Sequence, residues 1–233
     1  LIAIDEAHCI SQWGASFRPE YDALSHLREA FPSTPIAAVT ATADEPTRND
    51  IVAKIFGGQA EVYVAGFDRP NICLHVEPKQ RPRDQLLAFL KDHQGQSGIV
   101  YTLSRKNTEA YAAFLNENGH NARPYHAGLT PDERSDTQAA FMTEPDLIVC
   151  ATIAFGMGID KADVRFVFHA DLPGSLDAYY QEIGRAGRDG APAVAHMVFG
   201  AQDINMRHRF IDQEFSDEER RRREHGRLGA LVA

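Results

Sequence analysis

LIVCATIAFGMGIDKADVRFVFH, residues 147–169, holds two apolar runs separated by a turn that bears Gly156 and Gly158. The runs, Leu147 to Ala151 and Phe166 to His169, are apolar at nearly every position rather than at every second one. Such a run suits a strand covered on both faces, as in a parallel sheet sandwiched by helices. Working outward, similar strands are expected at Gly98 to Thr102 and Ala193 to Phe199. Helices are expected between them, over Asp84 to Asp92 and from Asn107 to Asn118, the latter stopped by Gly119. Thr130-Pro-Asp-Glu133 has the form of a capping box with proline at the first helical position, opening a helix that reaches Met142. Strand and helix alternate, so the expected fold is α/β, a parallel sheet with helices on both faces.

The residues before this region have the same alternation. Leu1 to Ile4 is an apolar run expected as a buried strand, and so is Ile36 to Thr40. Tyr21 to Phe31 is expected as a helix with Leu24, Leu27 and Ala30 facing inward. Asp44 is placed to cap a helix carrying Pro46 in its first turn, Ile51 and Ile55 on one face, and Gly57-Gly58 at its end. A further strand is expected at Val62 to Val64. Gly66 to Arg83, with Pro70, Pro78 and Pro82, reads as a linker holding a strand around Ile72 to Val76. Gln202 to Arg227 is expected to be helical, and Ser216-Asp-Glu-Glu219 is a second capping box. Arg220 to Arg223 follow acids in the first turn, the order that suits i to i+4 pairing. This favours a solvated helix face over a nucleic-acid patch.

Composition narrows the class. The chain has 233 residues, 43% of them hydrophobic and 24% charged, in the range of soluble globular proteins. No apolar run is long enough to span a bilayer. A formal net charge of −9 argues against coating nucleic acid through bulk charge, though not against a local basic groove. Cys9, Cys73 and Cys150 lack Cys-x-x-Cys spacing, which fits neither a zinc site nor a disulfide framework. Cys9 and Cys150 read as packing residues, and a reduced, cytoplasmic setting is expected. The first residue is Leu and the opening reads as the middle of a strand, the pattern expected of a piece of a longer chain.

Four elements carry chemistry. Asp5 and Glu6 end the first apolar run, where open α/β sheets bind ligands. An Asp there suits Mg²⁺, and the next Glu suits an attacking water. Tyr179 to Arg188, YYQEIGRAGR, spaces Gln181, Arg185 and Arg188 onto one face if helical, and Gly184 and Gly187 leave room for a close partner. Two arginines so placed bracket a phosphate; salt bridges on a surface helix give the same spacing. Residues 151–160 are a strand and glycine-bearing turn whose amides and Thr152 suit phosphates, with Asp160 placed to accept from a ribose hydroxyl or to steady an arginine. Thr40 and Thr42 follow a strand, as linking hydroxyls or as helix caps.

Together and in this order, these elements resemble the superfamily-two helicases, and most closely the RecQ family of DNA helicases. AFGMGIDKADVRFVFHADLP (154–173) and YYQEIGRAGRDG (179–190) resemble that family's fifth and sixth motifs. DEAHCISQWG (5–14) resembles its second motif and the start of its aromatic-rich loop. VYTLSRKNTE (100–109) and YHAGL (125–129) resemble its other second-lobe motifs. The resemblance implies RecA-like lobes, the parallel sheets of P-loop NTPases, with ATP in the cleft between them. It implies residues 1–66 as the C-terminal part of an incomplete first lobe and 67–83 as a linker. Residues 84–201 would be the second lobe, and 202–233 a helical lead-in to a zinc module whose cysteine ligands are not in this sequence, so no zinc is expected here. Asp5 would serve Mg²⁺ and Glu6 the water. Arg185 and Arg188 would be arginine fingers with Gln181 beside them. His8, Thr40, Thr42, Gly158 and Asp160 would belong to the ATP site and its coupling. Trp13, Phe17, Arg18 and Thr152 would meet DNA, the aromatics by stacking that reads no sequence. The implied activity is ATP-driven 3′ to 5′ unwinding of DNA in repair or recombination, on single-stranded and duplex DNA, in the cytoplasm or at a bacterial nucleoid.

Two departures stand out. No Gly-x-x-x-x-Gly-Lys-Ser/Thr loop occurs in these residues, so the 233-residue chain alone is expected neither to hydrolyse ATP nor to unwind DNA usefully. Ala15-Ser16 stands where the family's aromatic loop usually has His-Asp, which predicts weaker coupling of DNA binding to hydrolysis. Two other readings remain: a DEAH-type RNA helicase, and a nucleotide-independent nucleic-acid-binding or regulatory module. Stimulation by DNA against RNA separates the first, and retention of Asp5, Glu6, Arg185 and Arg188 argues against the second.

Overall fold

The computed structural model describes residues 1–12, 23–41, 43–66, 68–156, 159–214 and 216–232. The chain divides into two compact units, residues 1–67 and 68–233.

In the first unit, strands β1 (Ile2–Ile4) and β2 (Ile36–Ala38) pair in parallel, Ile2 opposite Ile36 and Ile4 opposite Ala38. Between them lie α1 (Cys9–Gln12), a 3₁₀ turn at Leu24–His26 and α2 (Leu27–Ala30). Helix α3 (Glu45–Phe56) follows and starts as its sequence predicts: the Asp44 side chain accepts from the Thr47 N–H at 2.9 Å, and Pro46 sits in the first turn. It ends at Gly57, whose φ of 64° is left-handed and readily adopted only without a Cβ. Ile51 and Ile55 bury one face against Ile4, Ala7 and Ile10, and Leu24 and Leu27 pack on this cluster. Ala30 is exposed, contrary to expectation.

Two other expectations fail here. The runs 1–4 and 36–40 are not buried throughout: Leu1 and Val39 are exposed and only Ile4 is fully covered. Their sheet has two strands with one apolar cluster against it among the described residues, so its other face has nothing to bury against. Val62 to Val64 forms no strand, and Tyr63 is 87% exposed. β propensity alone does not make a strand without a ladder partner. These residues and β2 instead line an open cavity of about 760 Å³, floored by Ile51, Val52 and Phe56.

The second unit holds a six-stranded sheet in the order β3-β8-β7-β4-β6-β5, parallel throughout. In chain order its elements are β3 (Ile72–Pro78), α4 (Pro82–Leu90), β4 (Gly98–Tyr101), α5 (Arg105–Glu117), β5 (Ala122–Tyr125), α6 (Pro131–Thr143), β6 (Ile148–Ala151), β7 (Phe166–His169), α7 (Leu176–Ile183), β8 (Ala193–Phe199), α8 (Ala201–Glu214) and α9 (Glu218–Val232). The central strands behave as their unbroken apolar runs predict. Tyr101, Val149 and Val167 point into one cluster with Phe141, Ile183 and Leu228. Val100, Cys150, Phe166 and Phe168 point into another with Leu86, Leu90 and Leu115. Each fully buried aromatic contributes about 1.5–3 kcal/mol. Gly98 is required by this packing, since a Cβ there would lie 2.1 Å from the Phe166 ring.

The capping box forms in full: the Glu133 N–H donates to Thr130 Oγ1 at 3.3 Å and the Thr130 N–H to Glu133 Oε2 at 2.8 Å. The second box, at 216–219, depends on the Glu219 side chain, which lies outside the described residues. Beyond it, Arg222 pairs with Glu218 at 3.4 Å, the expected i to i+4 contact. Two elements depart from the reading. The strand expected around Ile72 to Val76 forms as β3, but it belongs to the sheet rather than to a linker, because it pairs with β8 along its whole length, Ile72 opposite Ala193 through Pro78 opposite Phe199. Strand β5 carries no clear strand pattern in its sequence, because Arg123 and Pro124 interrupt its apolar residues; as an edge strand it tolerates the proline. No helix among the described residues is long and apolar enough to cross a membrane.

Candidate functional site

The first unit mounts its carboxylates on the rim of the β1–β2 pair. The Val39 N–H donates to the Ile4 carbonyl at 2.8 Å and the Ala7 N–H to the Val39 carbonyl at 3.0 Å, which fixes the backbone on either side of Asp5 and Glu6. Glu6 has φ 50°, the one non-glycine residue with positive φ among the described residues. Strain of this kind persists where neighbours over-determine the backbone, and it recurs at functional sites. Asp5 Oδ1 accepts from the Glu6 N–H at 2.8 Å. Buried His8 connects the strand ends: its Nδ1 lies 2.8 Å from Thr40 Oγ1 and 3.3 Å from Glu6 Oε2. The structure therefore brings together Glu6, His8 and Thr40, three of the residues the sequence singled out. Thr42 and the aromatic loop with Trp13, Phe17 and Arg18 lie outside the described residues.

Among the described residues no group of three or more His, Cys, Asp or Glu is arranged to hold a metal. A nucleotide-borne Mg²⁺ needs less, one or two protein carboxylates with phosphates and waters supplying the rest. Asp5, exposed at the C-terminal end of its strand, fits that requirement.

In the second unit the arginines are not on a helix face. Helix α7 ends at Ile183, so Gln181 is helical while Arg185 and Arg188 lie on the turn beyond it. Gly187, at φ 58°, turns the chain back, and its N–H donates to the Val164 carbonyl at 2.9 Å. The room at Gly187 is taken by this chain itself: a Cβ would lie 2.4 Å from Asn71 Nδ2. Asn71 and Arg69, from the stretch expected as a linker, donate to the carbonyls of Ala186, Gly187 and Ala191 at 2.8–3.1 Å. The arginine turn is thus strapped down by the lead into β3.

Both arginines reach across to the turn after β6. Arg185 Nη1 donates to the Gly156 carbonyl, and a Cβ on Gly156 would lie 2.0 Å from Arg185 Cζ. Arg188 Nη1 donates to Asp160 Oδ1 at 2.8 Å and to the Ile159 carbonyl at 2.9 Å. Of the two roles expected for Asp160, the structure shows the steadying of an arginine. Thr152 begins this turn, its N–H bonded to the Tyr125 carbonyl at 3.2 Å and its own carbonyl to the Phe155 N–H. Gly158 lies outside the described residues. In the 125–129 motif, His126 Nδ1 accepts from the Gly128 N–H at 3.2 Å, so the ring proton is on Nε2 and donates to Glu109 at 3.0 Å.

Sequence reasoning missed three residues beneath the arginines: Tyr101, His169 and Glu182. Glu182 carried a signal, since it lies three residues after Tyr179 and beside Ile183, an acid on the buried stripe of α7.

A parallel α/β sheet with paired arginines turned toward a glycine-bearing loop at its C-terminal edge defines a RecA-like helicase lobe, and residues 81–190 match the helicase conserved C-terminal domain. The chain is 49% identical over 210 residues to the ATP-dependent DNA helicase RecQ of Pasteurella multocida, covering 90% of this chain and 33% of that protein. It is 43% identical over 215 residues to the RecQ-like DNA helicase BLM of Xenopus laevis, covering 91% of this chain and 16% of that one. Among solved structures, Saccharomyces cerevisiae Dbp5 bound to RNA and ADP BeF3 aligns with a TM-score of 0.68 at 20% identity, covering 99% of this chain and 63% of that one, a likeness of fold. The chain belongs to the RecQ family of superfamily-two helicases. It spans about a third of the length of the first curated relatives it matches.

Proposed function

We propose that these 233 residues are part of an ATP-dependent DNA helicase that, as the full-length protein, couples ATP hydrolysis to 3′ to 5′ unwinding of duplex DNA. The observation that carries this reading is that each unit sets charged side chains at the C-terminal edge of a parallel sheet, Asp5 and Glu6 in one and Arg185 and Arg188 in the other, the groups that phosphoryl transfer needs. The names of its relatives, ATP-dependent DNA helicases, support the substrate class.

ATP with Mg²⁺ supplies the transferable phosphoryl group and the charge that holds it. Asp5 would hold the metal ion, and Glu6 would orient the attacking water. His8, whose Nδ1 is within reach of both Glu6 and Thr40, ties the water-orienting carboxylate to the end of β2, so a shift of one strand end is felt at the other. Arg185 and Arg188 neutralise charge on the phosphoryl oxygens, with Gln181 beside them. Trp13, Phe17, Arg18 and Thr152 contact single-stranded DNA, by stacking and through the phosphates. A cytoplasmic or nucleoid location and a role in repair or recombination accord with this reading.

The test is ATP hydrolysis by the full-length protein with and without single-stranded DNA or RNA, alongside strand separation on 3′- and 5′-overhang duplexes; the 233 residues by themselves are expected to do neither. DNA-stimulated turnover with 3′-overhang unwinding is expected. Equal stimulation by RNA supports the RNA-helicase reading, and nucleic-acid binding without any turnover supports the binding-module reading.

A further inference from the structure

Beneath the arginine turn lies a buried polar cluster to which the nucleotide reading gives no task. It is assembled from Tyr101 at the end of β4, His169 at the end of β7, and Tyr179 and Glu182 on α7. His169 is 1% exposed and Glu182 6%, and His169 Nε2 lies 2.7 Å from Glu182 Oε2. The register of the sheet sets Tyr101 opposite His169, and the rings stack with centroids 5.4 Å apart. Tyr179 packs on the imidazole from the helix side at 5.2 Å.

Two connections lead from this cluster to Arg185. The Tyr101 hydroxyl donates to the Phe155 carbonyl at 3.1 Å, and the next carbonyl along, that of Gly156, accepts from Arg185 Nη1. Burial pushes the Tyr101 hydroxyl well above its ordinary pKa, so it stays protonated and remains a donor; Arg185 and Glu182 both act on it, in opposite directions. The second connection is the chain itself, since Arg185 follows Glu182 by three residues and its N–H reaches the Glu182 carbonyl at 3.4 Å.

The hydrogen-bond accounting points the same way. Among the described residues four buried side-chain N or O atoms lack a partner, and three of them are here: His169 Nδ1, Tyr179 Oη and Arg185 Nε. Buried polar groups are normally satisfied, so a cluster of exceptions marks a place where geometry is kept at the expense of hydrogen bonds. With Glu182 ionised, His169 keeps its proton on Nε2 and only a bare lone pair is left on Nδ1. That is cheaper than an orphaned N–H, which the opposite arrangement would require. Glu182 lies in the last turn of α7, and Arg185 stands on the turn that follows it. Burial lowers the Arg207 pKa, and Glu182 is the first group to oppose that.

We propose that the Glu182–His169 pair and the Tyr101 hydroxyl position Arg185: the pair anchors the last turn of α7, from which Arg185 starts, and Tyr101 fixes the carbonyl run that receives the guanidinium. The kinetic consequence rests on the reading of Arg185 as a nucleotide-site arginine; its placement does not. The test therefore has two arms on the full-length protein, with Glu182→Gln and Tyr101→Phe.

In the first arm, Arg185 is modified with phenylglyoxal and followed by peptide mass spectrometry, with Arg188 as internal reference. Both variants are expected to raise the Arg185 rate several-fold and leave Arg188 unchanged. An unchanged Arg185 rate in folded variants overturns the proposal whatever the turnover. In the second arm, kcat for ATP is expected to fall about 10- to 100-fold with KM retained, the scale of a misplaced reacting group. Neither variant should lower turnover further in an Arg185→Ala background, and an equal loss there overturns the proposal, because a merely structural defect is additive. If the wild-type protein shows no turnover while the modification rates shift as expected, the helicase reading fails and the positioning of Arg185 stands. Tyr101→Phe removes a single oxygen, so it carries both arms if Glu182→Gln does not fold.

Discussion

The carboxylates and the arginines are mounted in opposite ways. Asp5 and Glu6 are exposed on the rim of a two-stranded pair backed by one apolar cluster, and their geometry is held by a strained backbone and one buried histidine. Arg185 and Arg188 stand on a six-stranded sheet packed on both faces, strapped by Arg69 and Asn71 and braced from below. A group that meets a mobile metal ion and water needs access. A flexible arginine whose charge must arrive at one place needs support along its whole length, because its rotamer entropy otherwise scatters it.

This contrast can be broken, and the largest effects are catalytic. Glu6→Gln and Arg185→Ala should each lower ATP turnover by about 10³-fold or more, read as kcat in a DNA-stimulated assay. A loss below about tenfold, near 1.4 kcal/mol, would remove that residue from the reaction. Gly156→Ala should act like loss of Arg185, because the new methyl group occupies the guanidinium's place.

Next come the cores. Phe168→Ala should cost about 3–5 kcal/mol in urea denaturation, against about 0.5–1.5 for Ile51→Val in the first unit. Hydrogen exchange should rank β4 and β7 slower than β1 and β2, and equal rates would erase the contrast.

The caps sharpen it at smaller scale. Asp44→Ala and Thr130→Ala should each cost about 1 kcal/mol. The Thr130 N–H and hydroxyl hold the Glu133 carboxyl below the ordinary glutamate range. A depressed carboxyl contributes stability above its unfolded pKa and loses it as pH falls through the folded one. The difference between wild type and Glu133→Gln should therefore shrink on acidification below the usual glutamate range, as read by denaturant midpoints. Smallest of all is Arg222→Ala, whose exposed pair with Glu218 should be worth no more than about 0.5 kcal/mol.

The legible parts of this molecule share one property: their decisive contacts lie within a few residues. The caps at Asp44 and Thr130 and the stops at Gly57 and Gly119 are local geometry, and each is where the sequence places it. The central strands were legible because burial on both faces leaves an unbroken apolar run. Val62 to Val64 has the same composition and no strand, because composition does not supply a ladder partner. The arginine spacing suggests one helical face, yet the helix ends at Ile183 with Gly184 as its cap, before Arg185, and Gly187 turns the chain again before Arg188. Of the residues the motifs single out, His8, Thr40 and Glu6 meet, as do Arg188 and Asp160.

By itself, then, the sequence determined the α/β alternation, the helix caps, the two families of motif residues and the absence of a Gly-Lys phosphate loop from these 233 residues. Only the tertiary structure decided that β3 joins the sheet, that the straps at Arg69 and Asn71 hold the arginine turn, and that Tyr101, His169 and Glu182 meet beneath it. The reason is the parallel sheet. Its neighbours are far apart in sequence, as Tyr101 is from His169, so no local pattern records which residues will share a layer.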